Sequence, residues 1–480
     1  MTTALLWFRN DLRLKDNPPL HAALATADKI LPVYVLDDEA AGAAKMGGAS
    51  RWWLHHSLAS LGKDLAQLGA PLVLRKGDAR AIIPALARQI GADFVHVARA
   101  YEPHMRAMDK DIAAALTAAG IEYKRHLSTT LFAPERIKNK TGGVYGVYTP
   151  FSRACFEAGV AEHILPVPRM IAGVAGIAGD ALAAWKLLPT KPNWAGGLDA
   201  AWQPGEAGAA ALLARFLQNA VHGYDDERNV PAKPGTSRLS PHLHFGEISP
   251  RDVWLQAAKF EGKGSEHYLK ELLWREFSIY LLWHHPDLPS QPIRPEFTRF
   301  PWADNQAALA AWQRGQTGVP IVDAGMRELW QTGWMHNRVR MITASFLVKH
   351  LLIPWQAGEA WFWDTLVDAD LAANAASWQW VAGCGADAAP YFRIFNPVLQ
   401  GLKFDADGAY VRRYVPEIAN LPAKYIHAPW DAPESELTKA RIALGKTYPR
   451  PIIALSEGRE RALAAYKQIS GSNKNVTDEA

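Results

Sequence analysis

Between Trp334 and Trp380 the chain sets polar and charged side chains inside stretches that would otherwise make ordinary core helices. GWMHNRVRM puts Arg338 and Arg340 among Met335, Met341, Ile342 and Phe346, and DADLAANAASWQW puts Asp370, Asn374 and Trp378 at i, i+4 and i+8. That spacing lines a carboxylate, an amide and an indole along one helical face. Burying such groups without partners costs about 1–3 kcal/mol each, so the segment calls for a buried polar cofactor. Two upstream segments carry related chemistry. GTSRLSPHLHFGEIS, Gly235 to Ser249, holds hydroxyls and Arg238 in a loop before a helix, an arrangement suited to phosphate oxygens. A capping loop with no ligand fits its composition equally well. In HYLKELLWREFSIYLLWH, His267 to His284, Glu271, Trp274, Arg275 and Ser278 share a face. A solvated Glu271–Arg275 pair is the plain alternative there, yet an indole beside a carboxylate makes a base-recognition surface.

The elements that must hold these groups fall into two patterns. The runs Ala4–Phe8, Ile30–Leu36, Pro71–Arg75, Phe94–Ala100 and Ile121–Arg125 are apolar and partly β-branched, and Arg51–Leu68, Ala79–Ile90 and Met105–Ala119 between them have helical periodicity. This alternation predicts a doubly wound parallel sheet. No GxGxxG loop follows the first strand, which argues against a Rossmann dinucleotide site. From Ser128 to Gln203 prolines and glycines loosen the pattern, which reads as a long connector. Beyond Pro204 the readable segments, among them Ser265–His284, Val322–Gln331, Asn337–Leu351 and Glu359–Leu366, are helical. The predicted architecture is therefore α/β followed by all-α: a sheet domain over 1–130, a linker over 131–203, a helical domain over 204–470 and a polar, disordered tail over 471–480.

Composition sets the bounds. The chain has 480 residues, 49% of them apolar and 21% charged, as expected of a globular protein of more than one domain. No run of about 18 apolar residues occurs, and charges come too early for a secretory leader, so a cytoplasmic protein is expected. Cys155 and Cys384 are too few for a disulfide framework or an iron–sulfur cluster, and no metal is expected. A net charge of +4 permits a polyanion partner without arguing for one. Nineteen tryptophans are unusual; most should be packing, with a minority left to stack on a ring or carry electrons.

Taken together, WFRNDLRLKDN, Tyr224 with Arg228, TSRLSPHLHFGEIS, ELLWREF, TGVPIVDAGMRELWQTGWMHNRVRMI, DADLAANAASWQW and APYFRIFNPVLQGLKF make the chain resemble the photolyase/cryptochrome family over residues 3 to 468. SRWWLHHSL and the TSRLSPHLHFGE loop look like the plant-cryptochrome-related bacterial branch, class III. The resemblance implies an antenna domain, an interdomain loop and a helical domain holding FAD. By motif, Tyr224, Thr236, Ser237, Arg238, Leu239 and Ser240 should surround the FAD phosphates. Arg275, Asn337, Arg340, Asp368, Ala369, Asp370 and Asn374 should line the rest, with Asn374 at the position facing the flavin N5. Trp378, Trp355 and Trp302 match the family's electron relay, with Trp312 a rival for the outer place.

The implied activity is that of a deoxyribodipyrimidine photolyase: light-driven electron transfer from reduced FAD splits a cyclobutane pyrimidine dimer flipped out of DNA. Glu271 should bond the dimer, Trp274 and Trp380 should wall it, and Asn337 and Met341 should reach it. Arg228, Arg338, Gln400 and Lys403 match positions near the DNA backbone. The resemblance implies UV-damaged DNA as the partner and a monomeric protein. The rival is a cryptochrome photoreceptor with little repair activity; Asn374 is of the photolyase type, where plant cryptochromes resemble Asp. The class resemblance implies 5,10-methenyltetrahydrofolate as antenna, with a deazaflavin or none as the alternatives; at YEPHMR, His104 and Met105 stand where the common bacterial class has an Asn–Glu pair for its folate, so it should be bound differently.

Overall fold

Five short strands open the chain: β1 (Thr3–Phe8), β2 (Lys29–Leu36), β3 (Val73–Lys76), β4 (Phe94–Ala98) and β5 (Glu122–His126). They form one parallel sheet in the order β3-β2-β1-β4-β5. The computed structural model describes residues 1–388 and 392–470, and the tail expected over 471–480 lies outside them. β1 is buried along almost its whole length, as the run ALLWF requires of a strand covered on both faces. The crossovers are α1 (Pro18–Thr26), α2 (Gly48–Gln67), α3 (Ala79–Gln89) and α4 (Pro103–Ala118). Ile83, Leu86 and Ala87 of α3 and Met108, Ile112 and Leu116 of α4 close one core over Leu5, Trp7, Val33 and Val95. α1 was not among the expected helices; Asn17 caps it, accepting from Leu20 N at 3.0 Å, and proline occupies its first position.

The segment read as a connector is more built than its composition implies. It contains α5 (Tyr148–Ala158) and lies beside β2, with Ile30 N donating to Ala172 O and Val174 N to Ile30 O. β3 pairs β2 only from Val33 onward, so the connector fills the place that this short strand leaves open. After it come α6 (Glu206–Asn219), α7 (Ser240–His244) and α8 (Lys263–His284). Residues 1–222, 237–286 and 367–371 make up the first compact unit. Within it Gly246, at φ +65°, sits so near residues 10 and 11 that a Cβ would fall 2.6 Å from the Asp11 Cα, which ties the phosphate-type loop to the end of β1.

The second unit comprises 223–236, 287–366 and the described residues from 372 on. Its helices include α9 (Gln306–Gln313), α10 (Pro320–Thr332), α11 (Asn337–Ser345), α12 (Trp355–Thr365), α13 (Leu371–Ala382, whose first residue belongs to the first unit), α14 (Pro397–Phe404) and α15 (Leu455–Ser470). Among its described residues the only β-pairing is the isolated Leu444–Tyr448 bridge. The helix expected over Asn337–Leu351 widens into a π-helical turn at Phe346–His350, where the buried Lys349 turns its ammonium to Ala382 O at 2.7 Å and so caps the end of α13. α12 begins at Trp355, directly after Pro354, one turn earlier than the expected Glu359. No helix among the described residues is long and apolar enough to cross a membrane.

Candidate active site

The expected site residues are divided between the two units. In the first, Ser237, Arg238 and Leu239 lead into α7, which starts at Ser240. Arg238 has φ +54°, uncommon for a residue with a side chain and typical of ligand-holding loops, and its guanidinium lies 4.2 Å over the Trp202 ring. Asp368 and Ala369 are buried, and Asp370 lies 3.5 Å from His244 Nδ1. Arg275 turns to its neighbour Glu276 (3.2 Å) and to Leu243 O (3.4 Å). Burial pushes Glu276 up to about 7, although Arg275 and the amides of Phe132 and Leu131 pull the other way.

Glu271 is half-buried on α8, and Trp274 lies three residues on, a neighbouring place on the helix surface. The Trp274 indole stacks on Tyr148 with centroids 3.7 Å apart and planes 6° apart. Tyr148 is itself pinned, its hydroxyl donating to Lys270 O at 2.6 Å. Tyr148 was not anticipated, because α5 lay in the stretch read as connector.

In the second unit Thr236 is half-buried and Tyr224 buried, with the Arg228 guanidinium 5.5 Å from the Tyr224 ring. His336 caps α11, its Nδ1 accepting from Arg338 N, while its Nε2 is buried without a hydrogen-bond partner. Burial, and then the charges of Arg338, Arg340 and Arg228, push His336 down to about 3, so it is neutral and the three guanidiniums set a positive local field. Arg338 donates to Asn229 Oδ1 at 2.7 Å and lies 4.4 Å over the Phe404 ring, which the Lys403 ammonium also approaches. Arg340 Nε donates to Met335 O at 2.8 Å. Asn337 is exposed, and Met341 and Trp380 are half-buried. Gln400, expected near a DNA backbone, is buried instead, and its amide oxygen has no partner.

Asn374 is buried on α13, and its Nδ2 donates to Glu359 O at 3.1 Å. A backbone carbonyl only accepts, so this bond orients the amide with Nδ2 toward Glu359 and leaves Oδ1 and the second N–H for other partners. Trp378, one turn later and 2% exposed, meets Phe362 edge-on at 5.0 Å and Trp312 edge-on at 6.2 Å. Its ring lies over Gly358, three residues after the buried Trp355, so it packs on α12 about one helical turn from the Trp355 position. Trp302 is half-buried against Phe300, and Ala303 N donates to Leu352 O just before α12. The rival Trp312 is the one packed on Trp378 itself. Glu359 was missed in the sequence: burial alone pushes it up to about 8, so it is protonated at neutral pH.

A third feature lies in the first unit, where Arg99, Arg106, Arg125, Pro103, Asp109 and Trp283 are among the residues lining a cleft of about 420 Å³. Arg106 stands 3.7 Å over the Trp283 ring and donates to its carbonyl. His104, on the same helix as Arg106, is pulled down by burial, against the carboxylates of Glu102 and Asp37.

In the first unit the hydroxyls and the left-handed Arg238 of the loop before α7, with the buried Asp368 carboxylate, are groups that suit a large polar cofactor such as FAD. Residues 268–468 match the FAD-binding domain of DNA photolyase, and residues 4–169 match the DNA photolyase family. The chain is 50% identical to the deoxyribodipyrimidine photo-lyase of Agrobacterium fabrum, over 97% of its own length and 98% of the relative's. It is 37% identical to cryptochrome-1 of Arabidopsis thaliana, over 97% of this chain and 70% of that protein. The crystal structure of a bacterial class III photolyase from Agrobacterium tumefaciens superposes with a TM-score of 0.94 at 49% identity, covering 98% of both chains. The chain thus belongs to the photolyase/cryptochrome family, in which it binds FAD, has deoxyribodipyrimidine photolyase activity and resembles the bacterial class III enzymes.

Proposed function

We propose that this activity is carried by the residues described above, with FAD bound through the Thr236–Ser240 loop, Arg275, Asp368, Ala369, Asp370 and Asn374 and through Tyr224, Asn337 and Arg340. When bound, FAD in its reduced form supplies, on illumination, the electron that opens the cyclobutane ring. The protein's own residues do the rest. Glu271 accepts a hydrogen bond from the dimer's polar edge. Trp274, Trp380 and Met341 offer apolar surface to the dimer. Arg228, Arg338 and Lys403 meet phosphates without reading sequence. Trp378, Trp355 and Trp302 bring electrons inward to return the resting cofactor to its reduced state.

The observation that carries this reading is the oriented Asn374 amide one turn from the buried Trp378 indole, which Phe362 and Trp312 brace edge-on. With one N–H engaged by Glu359 O, the side chain keeps its Oδ1 as an acceptor, which suits a protonated ring nitrogen. That favours repair over a signalling receptor. The Arg-lined cleft at Trp283 supports a folate antenna: guanidiniums suit glutamyl carboxylates, and the indole suits a pterin. The same reading makes the protein a monomer of the bacterial cytoplasm or nucleoid, with the antenna function in 1–130, a linker over 131–203 and the flavin function in 204–470.

The test is repair of a thymine-dimer oligonucleotide in light and in darkness by wild type and Glu271→Ala. Light-dependent repair that the variant loses while keeping its flavin is the expected outcome. Equal repair by both would remove Glu271 from the site.

A further inference from the structure

We propose that Gly358 is a positioning residue for the electron relay: a gap in α12, without a side chain, that seats the Trp378 indole one turn from Trp355. The inference rests on the relay reading of Trp378 and deepens it. Gly358 lies inside an eleven-residue helix and is buried. Glycine there costs about 1 kcal/mol relative to alanine, and its φ is not in the left-handed region, so backbone conformation does not demand it.

Space does. A Cβ at 358 would fall 2.6 Å from Trp378 Cζ3, closer still to Cη2, and 2.7 Å from Leu347 Cδ2. Flexible side chains absorb such encounters, but this ring has nowhere to go. Phe362 and Trp312 stand edge-on to it at 5.0 and 6.2 Å, these two are themselves stacked at 5.9 Å, and Trp312 is anchored by its N–H to Thr343 O. The same close approach of α12 and α13 lets Asn374 reach Glu359 O. Electron transfer between aromatic rings falls off exponentially with edge-to-edge distance. A gap that fixes the ring therefore fixes the rate of the step, and even one methyl group alters it.

The experiment compares holoprotein of wild type, Gly358→Ala, Trp378→Phe and the double variant. One assay follows photoreduction of oxidised flavin under blue light with a thiol; the other follows dimer repair after chemical reduction. For Gly358→Ala the ratio of photoreduction to repair should fall several-fold. Phenylalanine at 378 leaves room for the methyl group, so in that background the glycine substitution should cost nothing further in photoreduction. If Gly358→Ala does not accumulate with flavin, the double variant measured against Trp378→Phe decides alone: equal photoreduction supports the proposal and an added loss overturns it. Wild-type photoreduction in Gly358→Ala, with Trp378→Phe impaired, overturns the role of Gly358 and leaves the relay standing. Wild-type photoreduction in Trp378→Phe brings down the relay reading and this proposal with it.

Discussion

Two tryptophans, Trp274 and Trp378, occupy opposite kinds of surroundings. Trp274 is half-exposed and lies flat on Tyr148, with planes 6° apart. Trp378 is 2% exposed, and its neighbours Phe362 and Trp312 meet it at 68° and 69°. A recognition surface needs a flat face kept in place and left partly open. The innermost member of a relay needs dry, close, multiply braced packing. The sharpest break in the comparison is Trp378→Phe, which should slow photoreduction by more than roughly tenfold while leaving repair by chemically reduced enzyme near normal. Trp274→Phe should do the reverse. Equal loss of both activities in either variant would mean that the two indoles do not divide the work.

The dryness around Trp378 has its own signature at Glu359. Burial raises this carboxyl from about 4.5 to about 8. Between those values the folded chain holds a proton that the unfolded chain has released. The corresponding stability is complete below about 4.5 and is lost as pH rises through 8, amounting to a few kcal/mol at most. Glu359→Gln cannot ionise, so its melting temperature should gain on wild type between pH 5.5 and pH 8.5. Parallel melting curves for the two proteins across that range would show that Glu359 is better solvated than its burial implies.

How much of this was legible in the sequence divides along physical lines. The strands and helices of the sheet half could be read because a parallel strand buried on both faces must be continuously apolar and its crossover helices must be amphipathic. α5 could not, since YTPFSRACFEA sits in a proline-rich stretch and owes its helix to packing against α8. The i, i+4, i+8 alignment of Asp370, Asn374 and Trp378 was visible, because helical geometry is local. The seating of Trp378 on α12, one turn from the Trp355 position, was not, because it depends on a long-range fit over Gly358. Local periodicity likewise gave no warning that Gln400 points inward or that Tyr148 backs Trp274.

The basic cluster of the second unit should act without regard to the lesion, which sharpens the contrast with Trp274. Arg338 has its guanidinium oriented by Asn229 and Phe404. Arg338→Ala should weaken damaged and undamaged DNA alike and reduce the slope of log K against log salt by about 1. A loss confined to damaged DNA would move Arg338 from the backbone to the flipped base.

The smallest effect belongs to Tyr148, and it is the most selective. Its ring supports Trp274 from behind and its hydroxyl is tied to Lys270 O, so it has no role in the flavin donor set or the basic cluster. A stacked aromatic pair is worth about 0.5–1.5 kcal/mol beyond burial, and losing it frees the Trp274 indole to tilt. Tyr148→Ala should therefore weaken binding of dimer-containing DNA by about two- to tenfold, the equivalent of that energy, with affinity for undamaged duplex and flavin content unchanged. Tyr148→Phe keeps the ring and gives up only the hydrogen bond, so it should bind the dimer nearly as wild type does. If the phenylalanine variant falls as far as the alanine one, the tether to Lys270 rather than the stacked face is what holds Trp274 in place, and the flat-face account of this wall fails.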